Sequence, residues 1–300
     1  MPRISVLIGI YNCAPYLQEA LDSLYAQTYQ DFKIILCDDG SNDDTYAIAQ
    51  HNAEEHSNIV LIKNERNMGL NYTLNHCLEH ADTEYIARMD GDDISLPTRF
   101  EKEIAFLDAH PEYAVVSVPM IYFDESGDFR TGKGSGEVKA EDFINGTPIC
   151  HAPCMARTAV IKSVGGYSVD DRLLRVEDYH LWFKVFSAGN RLYMMNEPLY
   201  KMRDDRNAEA GLVTAMAARM AGIPHRTHIF TGQVWATKQG FSRWILKAID
   251  KLIAGLDNHI LVDGKSQRSF LVKEGVLKEG QAEVFCNGSI AAGFQCKTYQ

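Results

Sequence analysis

The stretch IARMDGDDIS, residues 86–95, sets Asp90, Asp92 and Asp93 within four positions, directly after a short apolar run. Carboxylates this close repel one another, so each raises the cost of ionising the next. A compensating cation relieves the conflict. Oxygen donors suit a hard divalent ion, Mg²⁺ or Mn²⁺, which takes one or two carboxylates and leaves positions for phosphate oxygens. Aspartate is also an ordinary turn residue, so the cluster has to be weighed with its surroundings. A calcium loop fails on spacing. Asp90, Asp92 and Glu101 match the first, third and twelfth positions of an EF-hand loop, but Ile94 stands where a ligand belongs and Ser95 replaces the turn glycine. Arg88, immediately before the acids, can pair with a carboxylate or with a phosphate. Glu177 and Asp178 open a helical stretch, where carboxylates suit the helix dipole whether or not they do chemistry. His151 lies between Cys150 and Cys154, with no fourth ligand in view for a zinc site.

The elements that must position these groups read as alternating strands and helices over the first 120 residues, the pattern of βα units feeding a parallel sheet. ISVLIGI (4–10), FKIILCDDG (32–40), NIVLIKN (58–64) and EYIARMD (84–90) read as strands. APYLQEALDSLYAQ, TYAIAQHNAEEH and GLNYTLNHCLEHA read as the helices between them, with Asp43 as an N-cap for the second. Pro97 is expected to open a helix, and YAVVSVPMIYF (113–123) to form one strand. From 124 to 150 the periodicity fails, and GDFRTGKGSGE reads as a mobile loop or hairpin. Helices follow at TAVIKSVGG and VEDYHLWFKVFSAG, then a strand at RLYMMNEPLY. Residues 207–256 read as mostly helical, and the last stretch is ambiguous.

Open α/β sheets bind ligands outside the carboxyl ends of their strands. Those positions hold Tyr11 and Asn12, Asp38 and Asp39, Asn67, and the DGDD of 90–93. Neither GxGxxG after the first strand nor a P-loop is present, so phosphates have to be held by a metal and side chains.

In five places the sequence resembles family 2 glycosyltransferases, inverting enzymes of the GT-A fold that move a sugar from a nucleotide-diphosphate donor. SVLIGIYN, DDGSNDDT (38–45), NMGLNYTLN (67–75), ARMDGDDISLPTRFEKEIAFL (87–107) and GGYSVDDRLLRVEDYHLWFKV (165–185) occur in order across residues 3–205. The resemblance implies an α/β catalytic domain over 1–205, with 1–120 binding the nucleotide-sugar and 121–205 the acceptor, followed by a mostly helical extension over 206–300. It implies that Tyr11 lies against the donor's base, Asp39 accepts a hydrogen bond from it, Asp90 and Asp92 hold ribose and, through Mn²⁺ or Mg²⁺, the diphosphate, and Asp93 supports that turn. Asp178 is then the base, with Glu177 its neighbour. Asn67 and Gly69 shape the loop entering the third helix. His151 sits in PICHAPCM, which departs from the family's commoner HPTVM. YKMRDD at 200–205 replaces the usual YRxH, with Arg203 as a substitute contact.

The implied partners are a nucleotide-sugar, most simply a UDP-sugar, and a glycan or lipid-linked acceptor in surface polysaccharide assembly. A sugar-nucleotide nucleotidyltransferase is the enzymatic alternative, without its usual glycine-rich basic opening loop, and a non-catalytic nucleotide-sugar-binding module is the other. Composition agrees with a soluble enzyme: 300 residues, 46% hydrophobic, formal charge −10 and seven cysteines without CxxC pairs. The acidic balance excludes a general nucleic-acid binder, and odd cysteines fit a reducing cytoplasm. GFSRWILKAIDKLIAGL (240–256) sets Phe241, Trp244, Ile245, Ala248, Ile249, Leu252 and Ile253 on one helical face. That face suits packing on the catalytic domain, a homodimer, or peripheral contact with the inner face of the plasma membrane.

Overall fold

The structure is a computed structural model describing residues 2–144, 146–170, 176–204, 227–230, 240–256, 259–262 and 265–284. The chain divides into two compact units, Met1–Phe143 with Thr147–Arg206, and Ile144–Gly146 with Asn207–Gln300.

The first unit begins with β1 (Ile4–Ile10), α1 (Ala14–Tyr25), β2 (Phe32–Asp38), α2 (Thr45–Glu55), β3 (Ile59–Lys63), α3 (Leu70–Glu79) and β4 (Tyr85–Arg88). Their pairings are all parallel, in the spatial order β3-β2-β1-β4. Parallel strands need crossovers, and the helices that supply them cover both faces. Ile4, Val6, Ile8 and Ile10 point to one face, where they meet Leu17, Leu21 and Leu24 of α1. Leu7 points to the other, with Ile35 and Cys37, against Leu74, Cys77 and Leu78 of α3. Each such buried leucine contributes roughly 1.5–3 kcal/mol relative to an exposed one. The N-cap of α2 is Asp44 rather than the expected Asp43, which lies one residue earlier and whose Oδ1 accepts the Thr45 N–H at 3.0 Å.

Beyond β4 come β5 (Ile94–Ser95), α4 (Arg99–Ala109), β6 (Tyr113–Ser117), β7 (Met120–Asp124), β8 (Gly127–Thr131), β9 (Gly136–Glu137), β10 (Cys154–Arg157), α5 (Thr158–Ser163), α6 (Glu177–Ser187), β11 (Arg191–Met194) and β12 (Tyr200–Arg203). The helix expected to open at Pro97 starts at Arg99. Two expected strands are each broken by a proline, which cannot donate to a ladder. YAVVSVPMIYF splits at Pro119 into β6 and β7, and RLYMMNEPLY splits at Pro198 into β11 and β12. The parallel pair β6/β11 belongs to the eight-stranded sheet, completing the order β4-β10-β6-β11-β9. The parallel pair β7/β12 belongs to a second sheet of order β5-β12-β7-β8. Both strands therefore leave one sheet for the other together, and the two sheets fork. The glycine-rich stretch is a hairpin, β7/β8, returning to the main sheet as β9.

In the second unit the described residues include three parallel strands, β13 (Thr227–Phe230), β14 (His259–Val262) and β15 (Glu283–Val284), with helices α7 (Gly240–Leu256) and α8 (Lys265–Lys273) between them. The helical expectation for 207–256 is thus corrected at THIF, an alternating β-branched and aromatic run that fits a strand. Residues 207–226 and 231–239 lie outside the described residues. The apolar face expected on α7 divides: Ile253 and Ala254 join a core with Ile260 and Leu271, while Trp244 and Leu252 are exposed. The side chains of Phe241 and Ile245 lie outside the described residues. Among the described residues no helix is long and apolar enough to cross a membrane.

Candidate active site

The acidic turn is held between the two sheets. Arg88 ends β4, and Ile94–Ser95 pairs antiparallel with β12, Ser95 opposite Tyr200. Arg88 is buried and grips Asp90 with both terminal nitrogens, Nη1 to Oδ2 at 2.7 Å and Nη2 to Oδ1 at 2.5 Å. The Asp90 N–H donates to the Tyr200 hydroxyl at 3.1 Å. Asp93 is turned inward, 2% exposed, and its Oδ1 accepts the Arg203 backbone N–H at 2.8 Å. Burial, then the charge of Asp90, pushes the Asp93 carboxyl up to about 7. Asp93 thus ties the turn to β12, the supporting part the family pattern implies. Arg203 donates from Nε to the Asp92 carbonyl at 3.0 Å, while its guanidinium pairs with Glu19 and lies over Tyr16 and Phe123.

Below the turn, Arg99 and Glu103 form a salt bridge at 3.1 Å with neither side chain accessible to solvent. Arg99 Nη2 donates to the Arg88 carbonyl at 2.8 Å, and its guanidinium lies 5.1 Å from the Tyr200 ring centre. Burial pushes the Glu103 carboxyl up to about 7 against the opposing pull of Arg99. Neither these two nor Tyr200 stood out in sequence as site residues.

Asp92 is partly buried. Burial, and after it the charge of Asp90, raises its carboxyl above the ordinary value, and among the described residues no side chain donates to it. Asp93 Oδ2 is buried without a hydrogen-bond partner. A carboxyl that resists ionising, next to Asp90, supplies oxygen donors of the kind a hard divalent cation takes, while Asp93, turned inward onto β12, is not among them. No three metal-ligating side chains already converge among the described residues, so such a cation would rest on Asp92, with Asp90 shared with Arg88, and on ligand oxygens.

At the neighbouring strand ends, Ile10 and Asp38 are paired in register, which brings Tyr11 and Asp39 side by side. Tyr11 is exposed. Asn12 takes the left-handed conformation, which asparagine tolerates, and its Oδ1 accepts the Asn42 N–H at 2.8 Å, binding the two loops together. Asp39 accepts from Asn64 Nδ2 and the Met68 N–H on Oδ1, both at 2.8 Å, and from the Gly69 N–H on Oδ2 at 2.9 Å. It therefore organises the loop of Asn67, whose own Oδ1 accepts the Gly69 N–H at 3.1 Å. Gly40 closes this arrangement. Its φ is +75°, and an added Cβ would lie 2.7 Å from the Arg66 carbonyl carbon. Gly40→Ala is expected to destabilise the protein by more than about 1 kcal/mol and to weaken nucleotide binding, measured by urea denaturation and by titration calorimetry with UDP.

Where the two sheets fork there is a cavity of about 740 Å³. It brings together Arg88, Asp90, His151, Glu177 and Asp178, with Met120, Tyr122, Met194 and Met202 from the parting strands. Tyr11, Asp39, Asn67, Asp92 and Arg203 lie outside its lining. Glu177 and Asp178 occupy the first turn of α6, which is anchored by buried Leu181, Trp182 and Val185. His151 Nε2 is 2.8 Å from the Tyr167 hydroxyl, and its ring meets Trp182 edge to face. Burial, then the charge of Arg88, holds its imidazole well below the ordinary range, so it is neutral. The cavity thus has one ion-paired acid, two further carboxylates and an uncharged imidazole, an arrangement suited to taking a proton from a hydroxyl beside an anionic ligand.

Residues 5–165 match the model of glycosyl transferase family 2. The chain belongs to that family. Family membership makes it a nucleotide-sugar-dependent glycosyltransferase, and the match spans Tyr11, Asp39, Asn67, Asp90, Asp92 and His151. The chain is 44% identical over 209 residues, 69% of its length and 75% of the relative's, to the putative glycosyltransferase EpsE of Bacillus subtilis. It is 30% identical over 190 residues, 63% of its length and 72% of the relative's, to WfaP of Escherichia coli, a UDP-Glc:α-D-GlcNAc-diphosphoundecaprenol β-1,3-glucosyltransferase. Its fold matches that of the mannosyltransferase PcManGT of Pyrobaculum calidifontis, solved with GDP-Man and Mn²⁺, with a TM-score of 0.56 at 21% identity, covering 85% of this chain and 72% of that one. The glycosyltransferase fold is therefore of the GT-A kind, with the acidic turn at the carboxyl end of β4.

Proposed function

We propose that this glycosyltransferase moves a hexosyl group from a UDP-sugar, with inversion and with help from Mn²⁺ or Mg²⁺, to a glycan or lipid-linked acceptor in surface polysaccharide assembly. The observation that carries the reading is that Asp90 and Asp178, far apart in the chain, line one cavity. Tyr11 lies against the donor's base, and Asp39 meets it through the lone pair left on Oδ2. Asn67 shapes the rim beside them, and Asp92 with Asp90 would hold the cation. When bound, the cation supplies electrostatic stabilisation of the charge that develops on the departing diphosphate. Asp178 takes the acceptor hydroxyl's proton as that oxygen bonds to the anomeric carbon and the bond from carbon to diphosphate oxygen breaks. The names of WfaP and PcManGT support a nucleotide-sugar donor, a lipid-linked acceptor and a divalent ion.

A thermal-shift panel of UDP-, GDP- and dTDP-sugars with and without Mn²⁺ tests the donor and the cation. A UDP-sugar at about 100 times its Kd should stabilise the protein by about 2.7 kcal/mol, and should do so only with Mn²⁺ or Mg²⁺ present. Stabilisation by no donor, or by a donor regardless of metal, would count against the reading.

A further inference from the structure

We infer that Tyr167 is a positioning residue for glycosyl transfer: its hydroxyl donates to His151 Nε2, which fixes the ring's one hydrogen on Nδ1 and makes His151 a hydrogen-bond donor to an oxygen of the bound sugar nucleotide. The tautomer is a property of the chain alone, whereas the ligand it serves rests on the proposed transfer.

Tyr167 is clamped by its backbone. Its N–H donates to Asn75 Oδ1 and its carbonyl accepts from Asn75 Nδ2, both at 2.8 Å, so one side chain of α3 holds both polar groups. Gly166, just before it, has a φ of +60°, and an added Cβ there would lie 2.5 Å from the same Asn75 Oδ1. Lys184 of α6 donates to the Gly166 carbonyl from the other side. Fixed in this way, Tyr167 is 4% exposed, and its ring meets that of His151 edge to face with centroids 5.4 Å apart.

The direction of the 2.8 Å bond between the two side chains decides the tautomer. Burial pushes the Tyr167 phenol well above its ordinary range, so it keeps its proton. Among the described residues its hydroxyl has no hydrogen-bond partner except His151 Nε2, and Tyr167 does not line the cavity, so no ligand there takes that proton. Were Nε2 to carry the ring hydrogen, the phenol would accept it and its own O–H would be buried without an acceptor, which folded proteins avoid. The hydroxyl therefore donates to Nε2, and the neutral ring bears its hydrogen on Nδ1. Nδ1 has no hydrogen-bond partner among the described residues and is not sealed from solvent, on a residue that lines the cavity with Asp90 and Asp178. The charge of Arg88 reaches this ring, which puts it on the side where Arg88 and Asp90 end β4 and the sugar nucleotide is held. An N–H at that place can donate to a ligand oxygen but cannot take a proton, so proton removal is left to Asp178.

Long-range ¹H–¹⁵N correlation spectra of the full chain distinguish the two tautomers directly, with the His151 signals assigned by their loss in His151→Asn. The parent should show the hydrogen on Nδ1. Tyr167→Phe keeps the ring and its packing, and should bring in the Nε2–H tautomer while transfer falls by about 3- to 10-fold, the size of one neutral hydrogen bond. His151→Asn, whose amide N–H can stand in for Nδ1–H, should lose less transfer than His151→Ala, and Tyr167→Phe should cost nothing further in the His151→Ala background. Calorimetry identifies the oxygen: weakened binding of UDP-sugar with UDP unaffected places it on the sugar, and weakened binding of both places it on the diphosphate. An Nε2–H tautomer in the parent, equal losses for His151→Asn and His151→Ala, or a Tyr167→Phe chain that transfers and binds as the parent does would each overturn the inference. A Tyr167→Phe chain that does not fold leaves the parent spectrum and the order of the two His151 variants to decide. Failure of the parent to bind any UDP-sugar would instead strike the functional reading, with the tautomer result unaffected.

Discussion

Asp178→Asn should lower kcat by roughly 10²–10⁴-fold, the usual contribution of a positioned general base, while donor affinity and Tm stay close to those of the parent. The asparagine keeps the side chain's shape and can still accept the Tyr179 N–H that Asp178 Oδ1 accepts at 2.7 Å. What it loses is the ability to take a proton, along with a helix-dipole contribution of about 0.3–1 kcal/mol. A role confined to capping α6 would therefore show as a small stability loss with transfer intact. Steady-state transfer assays, calorimetry with UDP-sugar and a melting curve separate the two outcomes. Glu177→Gln, one position earlier, serves as a control and should leave transfer within a few-fold. Unchanged transfer by Asp178→Asn would falsify its assignment as the base.

The largest effect on stability is expected from Arg99→Met. Removing one partner of a buried pair strands the other charge, at a cost of roughly 3–5 kcal/mol. Here Glu103 is left without its counter-ion, and the Arg88 carbonyl loses its donor. The loss should depend on pH. In the parent, Glu103 is held at about 7, above the 4.5 ordinary for its type. The folded state therefore binds more protons than the unfolded state between those values, and stability falls as pH rises through that window. Without Arg99 the carboxyl rises further, so the variant should lose most at pH 8 and least near pH 5. Arg99→Met with Glu103→Leu should recover much of the loss, since apolar replacements of buried pairs are often neutral or better. Urea denaturation at both pH values checks this, and a single variant losing less than about 1 kcal/mol would show that the pair does not support the turn.

The strands that carry the site were legible because burial on both faces leaves long apolar runs, as in ISVLIGI and FKIILCD, and because ligands of open α/β sheets bind at the carboxyl ends where the acids lie. The gathering of Asp90 with Asp178 was legible only through the family pattern. What stayed hidden depended on tertiary placement. Arg99 and Glu103 have the spacing of a surface pair, and nothing local shows that α4 presses them beneath β4. The expectation of one strand through Pro119 and another through Pro198 followed the apolar runs and underweighted the missing N–H. Both breaks fall where the two sheets part, and Met120 and Met194 beside them line the cavity. GKGSGE reads from composition as a mobile loop or hairpin; it continues from the β7/β8 hairpin, and what composition does not show is that Gly134 lets the backbone approach Met195.

The order of strands also has a consequence for how the chain is made. β4 is complete at residue 88, yet its second neighbour is β10, whose residues 154–157 run antiparallel between β4 and β6. Until the ribosome has released that segment, β1 to β4 can assemble but leave an open sheet edge beside the acidic turn. A nascent chain paused there, or a fragment cut before residue 154, would present that edge to other chains and be prone to aggregate. The strand at 154–157 is thus also the cover that β1 to β4 need during synthesis.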